Sequence, residues 1–255
     1  SSLRADPDPT GAASVDFDVT FSEDVTGVDV SDFTVTAGGS IIGASVTFVN
    51  GTGATRTVTV NTGAGSGTIR LDVVDDDSIR DLANNPLGGP GVGNGNFNTG
   101  EFYTVDRGAP TIVTNGIGSI PDTGDGHISE MEVVWVDLNN ITVTFSEDVF
   151  DPAGDTDPDD VTNPDNYLLI RRGDSAFATT SCVGVVSPDV EVTIDSVAYD
   201  NTGPFVSTLS FNSGNTLPNG FYRLIVCGST SIVDLSGNAL AGNGVNSGTD
   251  FTRNF

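Results

Sequence analysis

Val19-Thr20-Phe21-Ser22-Glu23-Asp24-Val25 returns unchanged as Val143-Thr144-Phe145-Ser146-Glu147-Asp148-Val149, 124 residues further along the chain. A second stretch, Ser78-Ile79-Arg80-Asp81-Leu82-Ala83-Asn84-Asn85, returns as Ser231-Ile232-Val233-Asp234-Leu235-Ser236-Gly237-Asn238 after 153 residues. Two motifs in the same order, twice, describe an internal repeat. The 255 residues therefore divide into two domains, each long enough to bury its own core. The second copy holds 29 more residues between the motifs, in the acidic loop Asp151–Asp160 and around Cys182. The boundary falls at Asp106-Arg107-Gly108-Ala109-Pro110, where proline forbids a continuous strand ladder. This gives domains 1–106 and 107–255.

Outward from these motifs, apolar and polar residues alternate with period 2. Val15, Phe17, Val19 and Phe21 interleave with Ser14, Asp16, Asp18 and Thr20, so one face is buried and the other wet. The same pattern runs through 56–60, 68–73, 141–145, 190–194, 207–211 and 221–226. No stretch carries a helical period, and the gaps are rich in Gly, Asn, Asp and Pro. The sequence predicts an all-β protein.

Nine Arg, no Lys and 35 acids give a net charge of −26, and 29 of the acids are Asp. Such a field repels nucleic acid and anionic headgroups, and no apolar run is long enough for a spanning helix. The chain carries no signal peptide or initiator Met, so a mature or excised product is expected. Aspartate is a turn residue and a short oxygen ligand, so its excess fits either loops that hold Ca²⁺ or a solubilising acidic surface. Cys182 and Cys227 form an even pair, for which a disulfide and an oxidising, extracellular setting are expected.

The repeated motifs, V-x-F-S-E-x-V and I-x-D-x-x-G-N-x-L, resemble the bacterial immunoglobulin-like domains of secreted and surface-layer proteins. The resemblance covers both halves. It implies two tandem Greek-key β-sandwich domains and a role at the cell surface. The first copy departs from the pattern at Asn84, which stands where the motif has Gly; asparagine also reaches the left-handed conformation.

In such a topology Glu147 and Asp148 lie at the end where the chain enters the second domain, with Asp234 nearby. Linker Asp106 enters there too. Acids from separate segments then meet at the domain junction and require hydration, neutralisation by Arg107 or a bridging Ca²⁺. The first domain presents Glu23, Asp24 and Asp81 at its corresponding end. The densest candidate Ca²⁺ loop supplies Asp151, Asp155, Asp157, Asp159 and Asp160, with alternate carboxylates but without the glycine and terminal Glu of an EF-hand. Asp75-Asp76-Asp77, and Asp122 with Asp125 and Glu130, are weaker candidates.

Enzyme chemistry finds little material. His127 is the sole histidine, in a turn, which argues against a histidine-based triad or transition-metal site. Trp135 reads as a core residue. Without lysine, isopeptide cross-links are impossible, so any polymer is held by strand addition or end-to-end docking. The expected function is a non-enzymatic extracellular structural subunit of a filament, layer or stalk, its partners being copies of itself or adjacent domains. The alternative is an adhesion module for surface glycans.

Overall fold

Alternation becomes strands throughout a computed structural model that describes residues 1–244 and 246–255. The chain divides into two units, Ser1–Gly108 and Ala109–Phe255. Arg107 belongs to the first: its guanidinium donates to the Gly65 carbonyl at 2.8 Å and the Thr62 hydroxyl at 2.7 Å.

In unit 1 the strands are β1 (Ser2–Arg4), β2 (Ser14–Thr20), β3 (Val25–Thr26), β4 (Phe33–Ala37), β5 (Ser45–Asn50), β6 (Thr55–Asn61), β7 (Gly67–Val73), β8 (Arg80–Asp81) and β9 (Phe102–Val105). They form antiparallel sheets of order β1-β2-β6-β5 and β4-β7-β9, with a short pair β3-β8. Val15, Phe17 and Val19 of β2 and Val58 and Val60 of β6 turn inward. They meet Phe33, Ile69, Leu71, Tyr103 and Val105 from the other sheet in one core. Each such side chain stabilises by about 1.5–3 kcal/mol on full burial. The Tyr103 ring packs edge-on to Phe17, and its hydroxyl donates to the Asp16 carbonyl at 2.7 Å. On the outward face of β7, Arg70 pairs with Asp72 at 2.6 Å, two residues along the same face.

Unit 2 repeats this plan with an added strand. Its strands are β10 (Ile112–Gly118), β11 (Asn140–Phe145), β12 (Tyr167–Arg171), β13 (Val190–Val192), β14 (Ile194–Asp200), β15 (Phe205–Phe211), β16 (Tyr222–Val226) and β17 (Phe251–Asn254). The sheets run β10-β11-β15-β14 and β13-β12-β16-β17, all antiparallel. Ile141, Val143, Phe145, Leu209 and Phe211 face Tyr167, Leu169, Leu224 and Val226 across the core. The alternation over 190–194 predicts one strand, whereas the chain changes sheets at Thr193. β13 pairs with β12 and β14 with β15. The described residues are thus all-β in two layers per unit, apart from single 3₁₀ turns.

Two of those turns expose a third repeat. Val30–Asp32 precedes Phe33, and Pro164–Asn166 precedes Tyr167. The side chains of Asp29 and Asn163 cap them, accepting from the Ser31 and Asp165 amides.

The long connection from β12 to β13 is held by two devices. Cys182 is bonded to Cys227, with Cα atoms 5.7 Å apart. Buried Asp189 accepts the amides of Thr179 at 2.7 Å, Ala178 at 2.8 Å and Gly173 at 3.3 Å. Burial alone would raise the Asp189 carboxyl, but these amides outweigh it and hold the group below its ordinary value.

Replacing both cysteines with alanine is expected to destabilise unit 2 by about 4 kcal/mol, from the closed loop's chain entropy, read as a shifted midpoint in denaturant titration. A carboxyl whose folded-state pKa is depressed contributes stability that is complete above its unfolded value. That contribution is lost as pH falls through the folded one. Asp189→Asn is therefore expected to flatten the acid limb of unit 2's stability profile below about pH 4, measured by thermal melts at stepped pH.

Candidate functional site

The two repeated motifs pair with one another in space. In unit 1, Val25 lies opposite Asp81; in unit 2, Val149 bridges Asp234. The second motif then folds into the same clasp in both units. Asp81 Oδ1 accepts the Asn85 amide at 2.7 Å and Oδ2 the Asn85 side-chain amide at 2.7 Å. Asp234 takes the Asn238 amide and side chain at 2.8 Å each. A left-handed residue closes each turn, Asn84 at φ 68° and Gly237 at φ 82°, as the substitution of Asn for Gly in the first copy requires.

The clasp draws acids together in unit 2. Carboxylate oxygens of Glu147 and buried Asp234 lie within 4.8 Å of one another. Asp148 accepts the Tyr199 hydroxyl at 2.8 Å, and the same hydroxyl accepts the Val149 amide at 3.1 Å. Burial pushes this phenol up, with Asp148 adding to the rise. In unit 1, Glu23 and Asp24 are exposed and Asp81 is half-buried; these three do not converge to within 4.8 Å. Asp106 belongs to unit 1, where it accepts the Gly108 amide at 2.8 Å.

The acidic loop is built differently from its sequence spacing. Asp155, Asp157 and Asp159 are all exposed. Asp157 uses its carboxylate to accept the Asp159 amide at 3.0 Å, the local capture that favours aspartate in turns. Among the described residues no three of the loop's acids bring oxygens within 4.8 Å. Asp160, outside the alternation, is the one that is buried. Asp151 is exposed at the start of the loop. Its carboxyl is raised first by desolvation, then by the charge of Asp160, with Asp148 and Asp155 contributing less.

The weaker acidic candidates are stitches in loops. Asp75 accepts the amides of Asp77 at 3.0 Å and Gly95 at 2.9 Å, and Asp77 accepts that of Gly91 at 3.2 Å. Asp122 and Asp125 accept the amides of Gly124 and His127, and Glu130 that of Asn254.

Unit 2 also carries a groove of about 760 Å³. Residues 131–138 before β11, 172–177 after β12, 217–221 before β16 and the chain end at Phe255 surround it. Trp135, expected in the core, is 90% exposed here. The extended segment alternates: Val134 and Val136 pack on the core, so period 2 turns Val133 and Trp135 outward. Arg172 stacks over Phe221 at 3.9 Å and Arg223 over Phe177 at 4.4 Å. Among the described residues neither guanidinium forms an ion pair, in a chain of net charge −26. Such a wall can stack a planar or sugar face and receive an anionic group.

Compared with family models, curated proteins and solved structures, the chain matches none.

The groove was missed in sequence because its parts come from four separated segments. The available signal was the alternation of Val133-Val134-Trp135-Val136, which places Trp135 on the opposite face from whichever valines fill the core. The clasp, by contrast, is written as contiguous residues. Asp234→Ala is expected to cost about 2–3 kcal/mol, because it removes a buried charged acceptor from the part-buried donors of Ser236 and Asn238. Asp81→Ala, at a half-buried site whose donors reach water, is expected to lose less. Chemical denaturation of the two variants checks the order.

Proposed function

We propose that the chain is a non-catalytic structural protein of the cell exterior, built from two immunoglobulin-like sandwiches that join copies of themselves or similar domains without covalent links. The observation that carries this reading is one architecture made twice. The order β1-β2-β6-β5 with β4-β7-β9 supports a constant-type immunoglobulin arrangement. In unit 2, β10-β11-β15-β14 with β13-β12-β16-β17 supports the same order plus one edge strand. Repeated sandwiches secured by the same Asp–Asn clasp suit a load-bearing spacer, filament or layer subunit. The disulfide agrees with an oxidising exterior, and the absence of lysine leaves non-covalent assembly.

A second reading, an adhesion module, is favoured by the groove. Exposed Trp135 beside Arg172 and Arg223 fits a carboxylate-bearing surface glycan, with a sugar face on the indole and its acid on a guanidinium.

Negative-stain microscopy of the purified chain, paired with an array of acidic and neutral glycans, separates the two. Ordered polymers without glycan signal support the structural subunit. Acidic-glycan binding that falls at least tenfold in Trp135→Ala and Arg172→Ala supports adhesion. A monomer that binds no glycan overturns both.

A further inference from the structure

Residues 132–137 of unit 2 alternate in burial as a strand does, yet they belong to no sheet. The run is tied at both ends. The Met131 amide donates to the Asn254 carbonyl at 2.7 Å, and the Leu138 carbonyl accepts the Leu217 amide at 2.8 Å. Between these ties, no amide from Val133 to Asp137 donates to a backbone carbonyl among the described residues, and no carbonyl of 132–137 accepts a backbone amide. The inner side chains, Val134 and Val136, are nonetheless fixed on the core. A held row of free donors and acceptors, roughly 20 Å long at about 3.3 Å per residue, is what an added strand pairs with.

The groove that this run borders adds apolar and cationic contacts. Met131, Val133, Trp135 and Phe221 are all exposed there, and Arg172 and Arg223 line it too. Arg171, Arg172, Arg223 and Arg253, the arginines of unit 2, all lie on β12, β16 and β17 or directly beside them. None of them forms an ion pair among the described residues, in a unit rich in carboxylates.

We propose that copies of the chain join at this groove, β14 of a second copy adding alongside residues 132–137 with its acids on Arg172 and Arg223. The inference rests on the structural reading above and names the surface that performs the assembly. Charge selects a second copy as the occupant. Chains of net charge −26 repel one another, so close approach favours a surface where unpaired guanidiniums receive a neighbour's carboxylates. The same unit supplies the complement. Of the strands that end a sheet, β10 and β14 are the longest, at seven residues each. Only β14 of these two carries acids, the exposed Asp195 and Asp200. A strand lent by one copy and received at a different surface of the next is a heterologous contact, which extends into a fibre.

Sedimentation velocity of the full chain over a concentration series, read together with amide hydrogen exchange, tests this. Association is expected to slow exchange at least tenfold at 133–137 and to add protection along β14, a measurement that needs no substitution. Trp135→Ala, at an exposed side chain, and Arg172→Glu, whose parent guanidinium stacks on Phe221, are each expected to weaken association at least tenfold. A parent that associates while 133–137 exchanges at the monomer's rate overturns this assignment and leaves the structural reading standing. Variants that associate as strongly as the parent do the same. A parent that stays monomeric throughout overturns both, and acidic-glycan binding by that monomer, lost in Trp135→Ala, gives the groove to the adhesive reading.

Discussion

The hydrogen bond from a backbone amide to an aspartate carboxylate governs this protein. Short strands leave much of the chain in connections, where amides have no ladder to join and must find acceptors elsewhere. Aspartate supplies them repeatedly. Asp75 holds the glycine-rich loop of unit 1, and Asp81 and Asp234 close the paired hairpins. Asp189 gathers three amides of the β12–β13 connection, and Asp250 receives those of Cys182, Gly228 and Ser229. A charged acceptor makes a stronger bond than a neutral one, about 1.5–3 kcal/mol against 0.5–1.5. Much of the acidity is therefore structural, and the surplus of Asp over Glu follows from reach: the shorter side chain closes turns onto its own backbone.

That constraint explains what could be read from the sequence. Strands announce themselves by alternation, and both clasps are contiguous, so the repeat and the left-handed Asn84 were legible. The third repeat was not. It survives as an Asx-x-x-Asx-aromatic spacing, Asp29-Asp32-Phe33 against Asn163-Asn166-Tyr167, in which every residue has changed while the N-cap bond has been kept. The acidic loop misled for a related reason. Alternate carboxylates resemble ligand spacing, but a carboxylate two residues before an amide can equally capture it, and Asp157 does so. Spacing alone cannot tell a turn from a ligand set.

Trp135 shows a different limit. A tryptophan among valines reads as core because its transfer free energy favours burial. In a strand-like segment, however, only every second residue can face inward. Once Val134 and Val136 occupy the core, the indole has nowhere to go but outward. Which of the two sets is inner depends on the sheet that the segment meets, and that is tertiary information.

The two units share a frame and differ in their connections. Unit 1 runs from β3 to β4, and from β4 to β5, through short turns. The corresponding stretches of unit 2, from Val149 to β12 and from β12 to β14, are long, as is the run from β10 to β11. Asp151 and Asp160 lie in the first of these, Arg172, Phe177, Asp189 and Cys182 in the second, and Trp135 in the third. The features that set unit 2 apart therefore fall in added chain and leave the strand order intact. Loop length costs little once a core is closed, so a sandwich can accept such insertions provided their amides are satisfied. Asp189 meets that condition for the longest of them, which the Cys182–Cys227 bond also ties down. The aspartates that hold the frame are thus also what allows one copy of it to carry a groove in its added chain.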